Sequence, residues 1–443
     1  MIPSEGLVLR GPLLSSLDPG RARAIEDGFV RIGSDGRIVG AGAWSGESAP
    51  EVQGAPVAPV APALILPAFV DAHVHLPQID VRGRYGPPLL EWLERFVFPA
   101  EALFADPDHA FRVAERFLAA LAGAGVGTAA AFVTVHPAAC ERAFEAAAAS
   151  GLRVVLGKVL MDRNAPAALL EPAEAGIAAS LALAERWEGS AGGRLHTAIT
   201  PRFAPTSTPE LLERSGRAAR EAGLRVQTHL SEQPDEIDTV RKLFPKAADY
   251  LEVYERAGLV HDRTILAHAV HCDGDAFRRI ASTGAAIACC PTSNAFLGSG
   301  RFPLERASAA GVTVAVGSDV GAGPLFSPLD VLRHLAYLDG RPSAAELLHR
   351  GTAAGARALA LEDVTGRIEP GLSADLVLLQ PPSGAAGDPL ERFAQCVFLG
   401  PETKVVATMV EGRIVHGALP AARIGSRGRS VGGGASPPTP PST

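Results

Sequence analysis

At residues 66–75 the chain reads LPAFVDAHVH, an apolar run that ends in two histidines. Successive side chains of a β-strand point to opposite faces of the sheet, so His73 and His75 share one face. Two imidazoles at the end of a strand supply half of the ligands of a typical Zn²⁺ site, which His nitrogen or carboxylate oxygen completes. A His-x-His pair on its own is more often two polar residues of a strand that face water. A metal site therefore requires further ligand residues at the ends of other strands.

The segment from residue 63 to residue 370 alternates strand-like and helix-like runs. The predicted strands are residues 65–75, 127–135, 153–161, 195–201, 225–230, 264–268, 285–290 and 312–318. Helical patterns such as residues 107–122, 209–222 and 327–338 separate them. Eight such units predict an α/β fold, a (β/α)₈ TIM-type barrel, whose chemistry lies at the C-terminal ends of the strands.

Short β-like runs occupy both ends of the chain. They are residues 6–10, 28–32, 37–40, 374–379, 404–410 and 412–415. This distribution predicts a small β-sandwich domain formed from both termini, residues 1–62 and 371–423, with the barrel inserted between them. Residues 424–443 are rich in Gly, Ser and Pro, a composition that predicts a disordered tail.

Composition excludes several functional classes. The net charge is −7 with no basic stripe, which argues against nucleic acid as the main partner. The 5 cysteines form no Cys-x-x-Cys motif, and the N-terminus does not have the pattern of a signal peptide, so we expect a reduced, cytoplasmic chain. Residues 117–135 are uncharged, but their glycines predict a helix end, a turn and a strand rather than a membrane helix.

Polar residues follow several predicted strands at the same mouth of the barrel. The candidate site residues are His73, His75, Arg202, His229, Glu232, His268 and Asp319. An N₃O set suited to one Zn²⁺ or Fe²⁺, with room for water, is formed by His73, His75, His229 and Asp319. His268 is either a further ligand or a hydrogen-bond partner of the metal-bound water. Each residue alone has a structural explanation, but their coincidence at strand ends favours a site. The role of His136, after the second strand, stays open.

With these residues the chain resembles the amidohydrolase superfamily and, within it, the guanine deaminases. The motifs that carry the resemblance are PAFVDAHVHLPQ (67–78), LLEWL (89–93), FPAE (98–101), GKVLMD (157–162), TPRF (200–203), HLSE (229–232), CPTSN (290–294) and GSDVG (317–321). His-x-His and Asp319 mark only the superfamily, whereas Gln78 combined with LLEWL, PRF and HLSE is narrower. Two positions depart from the family pattern: Ala68 replaces the usual Gly, and Ser318 the usual Thr.

The resemblance implies hydrolysis of guanine to xanthine and ammonia by one Zn²⁺ per chain, with Fe²⁺ as the alternative. A metal-bound hydroxide would attack C2 of the purine, and Glu232 would be the proton shuttle. The implied metal residues are His73, His75, His229, His268 and Asp319. The implied catalytic residues are Glu232, Asp319 and His268. The implied substrate contacts are Gln78, Leu90, Trp92, Arg202, Phe203, His229 and Glu232. Because such barrels often dimerise, we also expect a homodimer, with no membrane partner.

The chemistry of deamination agrees with this assignment. An aromatic amine is displaced by an activated water, and a metal lowers the pKa of bound water towards neutrality. The ring nitrogen beside the attacked carbon must be protonated, and Glu232 is placed to carry that proton. Asp319 can take a proton from the water. Arg202 can donate to the purine carbonyl, and Phe203 and Trp92 can pack on the ring.

Other functions remain open at this point. One alternative is a mononuclear deaminase that acts on 8-oxoguanine, an aminotriazine or cytosine. A binuclear hydrolase needs a metal-bridging lysine, usually on the fourth strand, but Lys158 lies on the third predicted strand and the fourth has none. A non-catalytic scaffold should have lost ligands or the proton shuttle, and this chain keeps both.

Overall fold

The structure, a computed structural model, describes residues 2–47, 49 and 52–419. Its strands, in chain order, are β1 (Leu7–Asp18), β2 (Arg21–Ile32), β3 (Ile38–Ala43), β4 (Val57–Pro59), β5 (Leu64–Pro67), β6 (Phe69–His75), β7 (Val126–Phe132), β8 (Arg153–Leu160), β9 (Leu195–Pro201), β10 (Arg225–Leu230), β11 (Thr264–His268), β12 (Ala286–Cys289), β13 (Thr313–Val316), β14 (Leu376–Gln380), β15 (Lys404–Val410) and β16 (Arg413–Gly417). The predicted tail, residues 424–443, lies outside the described residues.

The α-helices cover most of the remaining chain. They are α1 (Leu89–Trp92), α2 (Phe98–Ala102), α3 (Pro107–Gly123), α4 (Pro137–Ser150), α5 (Ala173–Trp187), α6 (Ser190–Gly193), α7 (Pro209–Ala222), α8 (Pro234–Leu243), α9 (Tyr250–Arg256), α10 (Gly274–Thr283), α11 (Pro291–Phe296), α12 (Leu304–Ala309), α13 (Pro328–Leu338), α14 (Ala344–Gly351), α15 (Ala353–Ala358) and α16 (Pro389–Phe398). A π-helical turn, Leu93–Val97, joins α1 to α2.

The strands β6 to β13 form the predicted barrel. They lie side by side in chain order and pair in parallel. The backbone beyond β13 then bonds to β6, since Asp319 N donates to His73 O and His75 N donates to Val320 O, both at 2.9 Å. The sheet therefore closes at the pair His73 and His75. The prediction of a TIM-type barrel is confirmed.

Local signals in the sequence set the helix ends. Helix α7 begins with Pro209 after Thr208, whose hydroxyl accepts a hydrogen bond from Leu211 N, and it ends before Gly223 at φ 65°. Proline at the first helical position, a hydroxyl cap and a left-handed glycine are the usual boundaries of a helix. The helices predicted at residues 107–122, 209–222 and 327–338 are confirmed to within a residue at each end.

The second sheet is built from both ends of the chain, as predicted. Its strand order is β16-β15-β14-β5-β1-β2-β3, with β4 paired to β1. These strands form one continuous hydrogen-bonded sheet, so the predicted sandwich is not made of two separate sheets. A buried cluster that includes Leu9, Ile32, Ile65, Leu376 and Met409 forms its core.

The start of the barrel differs from the prediction. Residues 65–75 were expected to be one strand, but β5 pairs with β1 and β14 in the second sheet, and the barrel begins at Phe69. The boundary therefore lies at Ala68 rather than between residues 62 and 63. Both strands are buried on both faces, and a continuous apolar run carries no signal for a change of sheet.

The uncharged stretch at residues 117–135 contains the end of α3, a turn at Gly125 and strand β7. Among the described residues, no helix has the length and apolarity needed to cross a membrane. All 5 cysteines are free and buried.

Candidate active site

A cluster of four side chains lies where the barrel closes. The metal cluster, as we call it, consists of His73, His75, His229 and Asp319, whose candidate ligand atoms all lie within 4.8 Å of one another. His73 Nε2 and His75 Nε2 are each 3.3 Å from Asp319 Oδ1. His75 Nε2 is 3.2 Å from His229 Nε2. Ligands about 2.0–2.1 Å from a tetrahedral ion lie roughly 3.3 Å apart, so these separations match such an ion.

Buried hydrogen bonds behind the cluster fix its shape. Asp71 accepts from Ser318 N at 3.0 Å and from His73 N at 3.3 Å, and it also accepts from the Ser318 hydroxyl. Burial raises the pKa of Asp71 to about 6, against the effect of these donors. Ser318, which replaces the usual threonine, therefore provides a hydroxyl that links the end of β13 to β6 through Asp71.

The histidines are held in the form that binds metals. The carbonyl of Arg202 lies 2.7 Å from His229 Nδ1, which donates to it and leaves Nε2 free to face the cluster. Burial lowers the pKa of His73 and His229, and it lowers the pKa of His75 to about 3. The three imidazoles are therefore neutral at physiological pH, and neutral imidazole is the metal ligand.

Buried atoms without hydrogen bonds show that a cation fits here. His73 Nε2 in the cluster and His268 Nε2 beside it are buried and make no hydrogen bond. Orphaned buried polar atoms are rare because each costs about 1–3 kcal/mol. The N₃O donor set, its spacing and these orphaned nitrogens together fit a divalent metal ion.

His268 and Glu232 lie beside the metal cluster and face each other. His268 Nε2 is 3.5 Å from Glu232 Oε2 and 3.8 Å from Asp319 Oδ2, outside the group of four candidate ligands. Its Nδ1 is 3.0 Å from Asn294 Oδ1, which accepts the proton and fixes the tautomer. Two roles were predicted for His268: a further metal ligand, or a hydrogen-bond partner of the metal-bound water. Its distance from the metal cluster favours the second role.

Glu232 is a buried carboxyl with a perturbed pKa. Burial raises this pKa to about 8, and the charge of Asp319 adds to the effect. The Ser299 hydroxyl donates to Glu232 Oε1 at 3.0 Å. Gln233 Nε2 donates in turn to Ser299 Oγ at 3.1 Å, so the serine proton is directed to Glu232. Sequence analysis missed Ser299, which lies on a loop without a motif.

Three strand ends turn sharply at the site. Ser231, His268 and Asp319 have φ values of 47°, 68° and 48°, in the left-handed region. This conformation is uncommon outside glycine, although Asp and His tolerate it better than most residues. Backbone strain of this kind is common where a functional side chain must be held in one orientation. Here the strained residues belong to or adjoin the metal cluster and Glu232.

A small cavity opens beside the metal cluster. Its lining residues are His75, Gln78, Leu89, Trp92, Leu93, Arg202, Phe203, His229, Glu232, His268, Leu297, Asp319 and Ala322. Four of these residues are among the predicted substrate contacts, and we call this predicted surface the purine wall: Gln78, Trp92, Arg202 and Phe203. Trp92 Nε1 donates to Arg84 O at 2.7 Å, so the polar atom of this side chain is satisfied away from the cavity.

Leu90 does not line this cavity, contrary to the prediction. It lies in an adjacent cleft that shares Leu93 and Phe203 with the cavity. Residues three apart share a helix face, so Leu89 and Trp92 both face the cavity while Leu90 is turned about 100° away. His136 precedes α4 and is also absent from the lining.

The purine wall rests on a residue that sequence analysis missed. Glu101, on α2, accepts from Arg202 Nη1 at 2.8 and 2.9 Å and from Gln78 Nε2 at 3.2 Å. Its motif, FPAE, carries part of the resemblance, but a contact between residues about a hundred positions apart leaves no local pattern. Two of the predicted purine contacts thus converge on one carboxylate.

Residues 64–415 match the amidohydrolase family, and the chain belongs to this family. Within it, the chain is similar to guanine deaminases. It is 38% identical to the guanine deaminase of Escherichia coli, over 89% of this chain and 92% of that protein. It is 40% identical to the probable guanine deaminase of Deinococcus radiodurans, over 83% and 86% respectively. The guanine deaminase of C. acetobutylicum, solved with guanine in its active site, superposes with a TM-score of 0.87 at 27% identity, over 93% of this chain and 100% of that one.

Proposed function

We propose that this chain hydrolyses guanine to xanthine and ammonia with one Zn²⁺ per chain. The observation that carries the proposal is a single cavity that joins the metal cluster, a buried carboxyl of raised pKa and a wall of hydrogen-bond donors. The extensive similarity to guanine deaminases supports the choice of substrate. Fe²⁺ is the alternative ion, because the same N₃O donors suit it.

His73, His75, His229 and Asp319 would hold the metal. A bound Zn²⁺ supplies a water of near-neutral pKa. Asp319 and His268 lie beside this position. The carboxylate can accept a proton from the attacking water, and His268 Nε2 can accept a hydrogen bond from it. His268 Nε2, buried and without a partner, is suited to that contact.

Glu232 would carry protons between the water and the purine. Burial raises its pKa to about 8, which favours the protonated carboxyl, and this form can give a proton to the ring nitrogen N3 as water oxygen bonds to C2. It then takes a proton from the hydroxyl added at C2 and delivers it to the amine. The water proton that Asp319 accepted finally passes to Glu232, so both carboxyl groups return to their starting state. The C2–N bond breaks, and ammonia and xanthine leave. The hydrogen bond from Ser299 to Oε1 leaves Oε2 as the atom that transfers the proton.

The purine wall would orient the ring. Arg202 and Gln78 would donate to acceptors on the edge that bears the 6-oxo group, and Phe203 and Trp92 would pack on the ring. His229 contributes an imidazole to the same cavity. Leu89 takes the lining position first expected for Leu90. The homodimer and the cytoplasmic location stay predictions from the sequence.

A screen of ammonia release over guanine, 8-oxoguanine, adenine, cytosine and ammeline tests the proposal. Guanine should give the highest kcat/KM. A preference for ammeline or cytosine would point to the aminotriazine or pyrimidine alternative. Protein that purifies without stoichiometric metal and releases no ammonia would be the non-catalytic scaffold.

A further inference from the structure

We propose that Glu101 is a positioning residue that sets the substrate preference of the purine wall. The inference rests on the proposed function, and it concerns how the wall distinguishes a 6-oxo from a 6-amino purine. Glu101 is 2% exposed and does not line the cavity, so it acts through the residues it holds.

The orientation of the Gln78 amide follows from its two neighbours. A carboxylate only accepts hydrogen bonds, so the amide nitrogen of Gln78 must face Glu101. On the other side, Gly321 N donates to Gln78 Oε1 at 3.3 Å, which requires the amide oxygen there. Both neighbours impose the same orientation. The second N–H of this amide is therefore available to donate to a substrate, while its oxygen is directed towards Gly321 N.

The orientation of Arg202 follows from the same carboxylate. Both oxygens of Glu101 accept from Nη1, and the pair is buried, with side-chain exposures of 3% for Arg202 and 2% for Glu101. The guanidinium Cζ lies 5.7 Å from the ring centre of Phe98, which is three residues before Glu101 on α2. Helix α2 therefore supplies both groups that position the guanidinium. Its Nε and Nη2 atoms, which can only donate, remain for the substrate.

The consequence is a wall on which Arg202 and Gln78 both direct N–H donors to the substrate. A 6-oxo purine presents O6 and N7, both acceptors, to such an edge. A 6-amino purine would place its own donor against these donors and leave buried polar groups unpaired, which is the strongest basis for discrimination between analogues. Without the Glu101 carboxylate, the Gln78 amide could rotate to present its oxygen, and Arg202 could withdraw.

The test compares guanine with 2,6-diaminopurine, which keeps the 2-amino group and carries an amine at position 6. We expect Glu101→Gln to lower kcat/KM for guanine about tenfold or more. It should lower the preference for guanine over 2,6-diaminopurine, taken from turnover and from inhibition constants, by a similar factor. Glu115→Gln, the same change at an exposed site on α3, should alter neither value. Metal content and melting temperature are measured for each variant.

Equal losses on both purines would overturn the inference and make Glu101 only structural. If Glu101→Gln does not fold, Glu101→Asp keeps the charge and retracts it by one methylene, and an unchanged preference in that variant would also overturn it. A wild-type protein without activity on guanine would contradict the proposed function and this inference together. Wild-type activity on guanine with an unmoved preference in the variants would contradict this inference alone.

Discussion

The metal cluster and the purine wall face the same cavity but differ in how their polar atoms are satisfied. In and beside the metal cluster, His73 Nε2 and His268 Nε2 are buried without hydrogen bonds. In the purine wall, Arg202 is already paired with buried Glu101 at 2.8 and 2.9 Å. The first region is complete only with a cation, whereas the second is organised before any substrate arrives. Binding of the ion should therefore stabilise the fold as well as enable catalysis, and the wall should act mainly on substrate choice.

The largest effect should follow a change in the metal cluster. His73→Asn removes one of three nitrogen ligands, so the variant should lose most of its metal. Activity should fall by more than about 10²-fold, beyond the range seen for residues that only support ligands. Elemental analysis and guanine turnover check both results. Two tightly bound ions per chain in the wild-type protein would contradict a mononuclear site.

A change at Glu232 shows whether catalysis can be lost while the metal cluster and the purine wall remain intact. Glutamine keeps the shape of the side chain and cannot carry a proton, so Glu232→Gln should lower kcat about 10²–10⁴-fold. Metal content and purine binding should stay normal. Near-normal kcat at full metal content would falsify the proton-shuttle assignment. Loss of metal together with activity would instead indicate that Glu232 supports His229.

Arg202→Ala should sharpen the comparison because it changes the purine wall and leaves every member of the metal cluster in place. Turnover of guanine should fall about ten- to a hundredfold, because a hydrogen bond from a charged group contributes about 1.5–3 kcal/mol. Adenine has no carbonyl oxygen and should lose little from its poor rate. Similar losses on both purines would show that Arg202 has a structural role.

The same substitution should also lower stability. It leaves the Glu101 carboxylate buried without its cation, which typically costs about 3–5 kcal/mol of unfolding free energy. The double variant with Glu101→Gln removes that uncompensated charge and should recover part of the loss. Urea unfolding of the two variants at matched metal content checks this. No difference between them would mean that the pair is not coupled as the distances suggest.

The smallest effect concerns two leucines of α1 that lie next to the purine wall. Leu90→Ala should leave the KM for guanine unchanged, because Leu90 faces the adjacent cleft. Leu89→Ala should raise KM about fourfold or more, the equivalent of one buried methylene at about 0.8 kcal/mol. Steady-state kinetics of this matched pair is the check. A larger effect at Leu90 would restore the original prediction.

The metal cluster could be predicted from the sequence because its signals are local. His73 and His75 show their shared face by their spacing, and the other ligands follow predicted strands whose C-terminal ends meet at one mouth. The purine wall was less accessible. Glu101 meets Arg202 across 101 positions, and nothing in the spacing of either segment marks the contact.

The errors have the same origin. The change of sheet at Ala68 falls inside an uninterrupted apolar run, where periodicity carries no information. Leu89 and Leu90 are equally apolar. Only the rotation of α1 about its own axis decides which of the two faces the cavity. Long-range pairing and helix phase are properties of the assembled fold, whereas ligand type and strand end are properties of short segments.

The most direct measurement is a titration of metal-stripped protein with Zn²⁺, following guanine-dependent ammonia release and the melting temperature together. Activity should rise linearly to a plateau at one ion per chain. The melting temperature should rise over the same range, because the ion satisfies buried nitrogens that otherwise have no partner. Full activity on guanine without metal, or a plateau at two ions per chain, would contradict guanine hydrolysis that depends on one metal ion per chain.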